Sequence, residues 1–101
     1  DKLNQIIKIC RLDEVINKYC TNNIGFDNST LSGGEKTRVL LARALYKECE
    51  LYIFDEISTG LDEILFYEIF DDIMKYLELK TVIIIDHKYI SENYFTKSIS
   101  I

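Results

Sequence analysis

Apolar residues recur at helical intervals from the start of the chain: Leu3, Ile6, Ile7, Cys10, Val15, Ile16 and Tyr19, with charges between them. This period predicts an amphipathic helix over residues 1–19, with a candidate break near Arg11-Leu12-Asp13. Residues 20–30 lack periodicity and are rich in Asn, Thr, Ser and Asp, which marks a loop. A second helix is expected over residues 32–48, with Val39, Leu40, Ala42 and Leu45 as its apolar surface and Lys36, Arg38, Arg43 and Lys47 mostly on a solvated face. Leu51-Tyr52-Ile53-Phe54 is then a short apolar run closed by Asp55 and Glu56, the pattern of a buried strand in a parallel sheet. The run Ile64, Leu65, Phe66, Ile69, Phe70, Ile73, Met74 and Leu77 has helical period and reads as a core helix. Thr81-Val82-Ile83-Ile84-Ile85 predicts a second buried strand that ends in Asp86-His87, and a short helix is expected through Tyr94. Alternation in Ser98-Ile99-Ser100-Ile101 suggests a last strand over residues 95–101. Helices alternating with such strands make an α/β fold.

Ser32-Gly33-Gly34-Glu35 opens the second helix with the S-x-x-E spacing of a capping box. Each glycine costs about 1 kcal/mol relative to alanine inside a helix. What the pair gives in return is access, because backbone N–H groups without Cβ neighbours can approach an anion at the positive end of the helix dipole. A phosphate suits that place. Alone, Ser-Gly-Gly would read as a turn and a cap.

Composition narrows the classes further. A chain of 101 residues that is 48% hydrophobic and 29% charged is globular rather than disordered. The net charge of −5 argues against a general nucleic-acid surface, so no nucleic-acid partner is expected. Cys10, Cys20 and Cys49 are odd in number and lack C-x-x-C spacing, against both a disulfide framework and a zinc site, so reduced, partly buried cysteines are expected. No apolar run approaches the roughly 18 residues of a membrane span. No repeat, low-complexity tract or proline marks a linker.

With Leu31 before it and Glu35-Lys36-x-Arg38 behind, the glycine pair resembles the signature motif of the ABC-type ATPases. Leu51 to Glu56 resembles a Walker B motif followed by the catalytic glutamate, and the 20 residues between Gly34 and Asp55 match the family's interval. Thr59-Gly60-Leu61-Asp62 falls at the D-loop, with Thr-Gly in place of the usual Ser-Ala, and His87 falls at the switch histidine. Ile24-Gly25 is similar in spacing to the pre-signature segment of ABC exporters, although Phe26 and Asn28 replace its usual charges.

The resemblance implies a partial P-loop NTPase (RecA-like) parallel sheet with part of the ABC helical subdomain. Residues 1–101 would be the C-terminal part of a nucleotide-binding domain, with the helical portion over 1–48 and the Walker B to H-loop α/β portion over 49–101. It implies ATP and Mg²⁺ as cofactors. Ser32, Gly33, Gly34, Glu35 and Asp62 would bind nucleotide and Asp55 would hold the metal through a water. Glu56 would act as general base, and His87 would help orient the attacking water. Asp86 stands where the family usually has Ser, and whether its carboxylate reaches the imidazole is open. The implied partners are a second nucleotide-binding domain in a head-to-tail dimer and transmembrane domains, with the chain at the cytoplasmic face of a membrane. Because no G-x-x-x-x-G-K-[ST] occurs, the chain is expected to be a piece of a longer exporter-like transporter, inactive alone and prone to self-association. A ribosome-associated ABC-F ATPase and an SMC-type ATPase are the competing readings.

Overall fold

The computed structural model describes residues 1–20, 31–88, 90 and 94. Of the loop expected over residues 20–30, position 20 instead ends a helix, and the rest with its Ile24-Gly25 segment, most of the helix expected after Lys88 and the strand expected over residues 95–101 lie outside the described residues. Six elements follow in order: α1 (Lys2–Ile9), α2 (Asp13–Cys20), α3 (Gly33–Tyr46), β1 (Leu51–Asp55), α4 (Glu63–Tyr76) and β2 (Thr81–Ile85). The fold is α/β, as expected.

The first helical run breaks where the charge pattern suggested. Arg11 takes φ 56°, a left-handed conformation that ends α1 and redirects the chain into α2. Its guanidinium Nη1 holds the corner by donating to the Ile9 carbonyl at 2.8 Å and the Asp72 carboxylate on α4 at 2.9 Å. Arg38 of α3 donates to the Arg11 carbonyl at 2.6 Å. That residue was expected on a solvated face; it instead ties α3 to the α1–α2 corner, because its long side chain spans the gap between elements.

The buried set of α4 is Phe66, Ile69, Phe70 and Ile73, a stripe at i, i+3, i+4 and i+7. With Ile6, Cys10, Val15 and Leu45 it forms the centre of one core, and α1 packs on both α3 and α4. Ile64, expected in the stripe, is exposed, as is Leu40 on α3, where Leu41 is buried in its place. A one-residue error turns a helical position by about 100°, enough to exchange core for solvent.

β1 and β2 pair in parallel across α4, with Leu51 opposite Thr81 and Asp55 opposite Ile85. Both strands were expected to be buried, but each leaves one face exposed. Tyr52 and Phe54 face the core, while Leu51, Ile53, Ile83 and Ile85 form an exposed apolar plane, Ile53 at 60%. Among the described residues helices cover only one side of the sheet, so an apolar run at every position buries only every second side chain.

Cys10 is fully buried and Cys49 half-buried, both free. Burial pushes the Cys10 thiol up to about 12, against the opposing pull of Arg11 and Arg38. Iodoacetamide at pH 8 is therefore expected to leave Cys10 unmodified in the native protein while Cys49 reacts, as read by peptide mass mapping. Equal labelling of the two would contradict the packing of α1.

Candidate functional site

The sequence builds the start of α3 from both sides of its cap. Ser32 Oγ accepts the Glu35 N–H at 3.1 Å, and Glu35 Oε1 accepts the Ser32 N–H at 3.0 Å, completing the capping box. Glu35 also accepts from the Tyr19 hydroxyl of α2 at 2.9 Å and lies 3.7 Å from Lys18. The Ser32 N–H foremost, outweighing partial desolvation with help from Tyr19 and Lys18, holds the Glu35 carboxyl below the usual range. Glu35 is thus committed to fixing the helix start and to joining it to α2. The Gly33 and Gly34 N–H groups precede the first intrahelical hydrogen bond, from Lys36 N–H to the Ser32 carbonyl at 2.9 Å.

The two glycines differ. A Cβ on Gly33 would meet nothing within 4 Å, so this face is open to a ligand. A Cβ on Gly34 would lie 2.6 Å from the Gly60 carbonyl oxygen. Gly60 itself has φ +75°, and a Cβ there would lie 2.7 Å from Gly34 N. The turn that follows β1 therefore rests on the first turn of α3, backbone on backbone. Thr37 Oγ1 reinforces the contact, 2.8 Å from the Thr59 carbonyl and 3.1 Å from that of Gly33.

That turn carries the carboxylates. Asp55 is the last residue of β1 and is exposed. Glu56 lies beyond the strand with φ 54°, so a left-handed turn separates it from Asp55. The Glu56 N–H donates to the Ile85 carbonyl at 2.6 Å, and the next residue, Ile57, is buried, which anchors the turn on either side of the carboxylate. His87 Nε2 lies 3.0 Å from Glu56 Oε1, an ion pair when the imidazole is protonated, with both side chains well exposed. Asp86 does not serve His87; its carboxylate accepts from Ser58 and from the Lys88 N–H. Asp62 caps α4, its Oδ1 accepting the Leu65 N–H at 2.8 Å.

The structure thus brings Glu56 to His87, and it joins their turn to Gly33 and Gly34 through Gly60 and Thr37. Thr37 and Ser58 escaped sequence reasoning, because each acts through a contact between segments distant in the chain. A shallow groove over α1, lined by Asp1, Lys2, Asn4, Gln5 and Lys8, shares no residue with this site.

The profile of the ABC transporter family matches residues 1–59, more than half of the chain and reaching through the signature-like helix and the two carboxylates. This chain belongs to the ABC transporter family. The ATP-binding cassette transporter abc1 of Schizosaccharomyces pombe is 41% identical over 88 residues, covering 82% of this chain. The chain spans 6% of the length of that relative. ATP binding is general to the family's nucleotide-binding domains. The fold fits a partial domain of that kind.

The residues present suit the family's ligand. Open space over Gly33 admits a phosphate to the end of α3 without steric conflict. Mg²⁺ is commonly held by one or two carboxylates together with water and phosphate oxygens, and the exposed Asp55 carboxylate is of the type that would fit such a site.

Proposed function

We propose that this chain supplies the signature face and the catalytic carboxylate of an ATP-hydrolysing domain in an exporter-like ABC transporter. The observation that carries the reading is the open backbone over Gly33 joined, through the Gly34–Gly60 contact, to the Glu56–His87 pair. An anion-binding helix end and a general base are both parts that phosphoryl transfer to water uses; in a head-to-tail dimer the first would serve the nucleotide of the second domain and the other that of this domain, with the Gly34–Gly60 contact tying the two together.

In this reading Ser32, Gly33 and Gly34 receive the terminal phosphate of a nucleotide held by a second domain in a head-to-tail dimer, and Glu35 keeps the helix start in place. Asp55 would hold Mg²⁺ through a water, and the ion would neutralise phosphate charge when bound. Glu56 accepts the proton of the attacking water, and His87 orients that water from across the turn. Asp62 caps α4 and contributes to the nucleotide surface. In the same reading the helical portion covers residues 1–48 and the α/β portion residues 49–101, a division supported by the change from helix to strand between α3 and β1. Transmembrane domains and a place at the cytoplasmic face of a membrane complete the proposal. The relative's description as a transporter favours this over the ABC-F and SMC readings. Without a phosphate-binding P-loop of its own, residues 1–101 alone are expected not to turn over ATP.

Gly33→Asp in the full-length protein separates this reading from a purely structural one. An acidic residue in the first turn favours the helix by about 0.3–1 kcal/mol, so thermal stability is expected to hold or rise. Mg²⁺-dependent ATP turnover is expected to fall at least about tenfold, because the carboxylate repels the phosphate. Unchanged turnover would rule out the signature face as a nucleotide contact.

A further inference from the structure

Beyond the ends of the paired strands, Glu56 and His87 stand on segments that no ladder hydrogen bond joins after Glu56 N–H to Ile85 O. His87 is 92% exposed, so packing does not fix its imidazole opposite Glu56. What does join the two segments is the residue next to it. Asp86 Oδ1 accepts the Ser58 hydroxyl at 2.7 Å, and Oδ2 accepts the Ser58 N–H at 3.1 Å. Oδ1 also accepts the Lys88 N–H at 3.0 Å, an Asx turn that places His87 at its apex.

We propose that Asp86 and Ser58 form a clamp that positions His87 against Glu56, making both positioning residues for the hydrolysis proposed above, on which this inference rests. Ser58 follows Glu56 by two residues and Asp86 precedes His87 by one, so the clamp crosses between the catalytic segments beside the reacting pair. A hydroxyl at position 86 has one oxygen and could not hold both Ser58 donors and the Lys88 N–H together; a carboxylate has two. Desolvation pushes the Asp86 carboxyl up, but the Lys88 N–H and the two Ser58 donors outweigh it and keep the group below its ordinary range. The clamp is therefore charge-assisted, the stronger class of hydrogen bond. It also accounts for an aspartate whose carboxylate pairs with neither the imidazole beside it nor the base.

The test is a set of double-mutant cycles in the full-length protein, read by steady-state ATP turnover. Ser58→Ala is expected to lower kcat about tenfold and Asp86→Ala somewhat more, with KM for ATP within about twofold of the parent. Ser58→Thr, which keeps the hydroxyl, is expected to restore most of the rate and shows that the loss is not one of folding. In a His87→Ala background the Ser58→Ala and Asp86→Ala effects are expected to shrink below about twofold, because a clamp acting through His87 has nothing left to position. Full-sized effects in that background, or an unchanged kcat in the single variants, would overturn the clamp. If Glu56→Gln and His87→Ala both leave turnover intact, the failure lies instead with the assignment of the hydrolytic site.

Discussion

Glu56→Gln is expected to lower ATP turnover by the full-length protein by roughly 10²–10⁴-fold, the usual contribution of a positioned general base. The substitution keeps size, hydrogen-bonding capacity and backbone demands, and removes only the ability to take a proton. Nucleotide affinity should persist, since the phosphate face lies on α3 rather than on the turn. A second substitution at the same position is more telling. Glu56 sits at φ 54°, a region that costs a side-chain-bearing residue about 1–3 kcal/mol. Glycine is free of that penalty but loses more backbone entropy on folding, roughly 0.5–1 kcal/mol. Glu56→Gly is accordingly expected to match or exceed the parent in thermal stability while being as inactive as Glu56→Gln. A clear loss of stability in Glu56→Gly would mean that the turn is not strained, and wild-type turnover in either variant would remove Glu56 from the chemistry.

Gly60→Ala is expected to be the most damaging of the glycine-to-alanine substitutions among the described residues. Two penalties coincide: the left-handed φ of +75°, and a new Cβ placed 2.7 Å from Gly34 N and 2.9 Å from the Gly33 carbonyl carbon. Neither neighbour is a side-chain end that could swing away; both are backbone of a capped helix. Gly34→Ala meets the same surface from the other side, 2.6 Å from the Gly60 carbonyl oxygen, but without the φ penalty. Losses of about 2–4 kcal/mol for Gly60→Ala and about 1–3 kcal/mol for Gly34→Ala are expected, in line with overpacking and strain in other folds. Gly33→Ala, over open space, should leave stability unchanged or slightly raised. Denaturant melts of the three variants give the order directly, and an equal loss at positions 33 and 34 would contradict the contact.

These expectations show what the sequence could carry and what it could not. Periodicity located α4 and its core face, and the S-x-x-E spacing announced a cap that the structure completes in both directions. Glu56 and His87 were named from their positions after strands and by family resemblance, and they meet at 3.0 Å. Local patterns report local geometry well because capping and helical facing depend on residues three or four apart. Different roles for the adjacent glycines were not legible, since Gly34 is distinguished from Gly33 only by a carbonyl 26 positions away. Arg38 was misplaced for the same reason, its partner being a backbone oxygen at Arg11. The strands misled in the opposite sense: an unbroken apolar run is the mark of burial on two faces, while among the described residues only one face of the sheet is covered.

That bare plane of Leu51, Ile53, Ile83 and Ile85 bears on heredity as much as on folding. A layer packed on it in the intact protein would rest on the two strands that lead into Glu56 and His87, so loosening such a layer is expected to loosen the ends of those strands with it. A lesion in a segment that never approaches ATP would then present itself as a defect of hydrolysis, and mapping such lesions would outline the hidden contact from its phenotype.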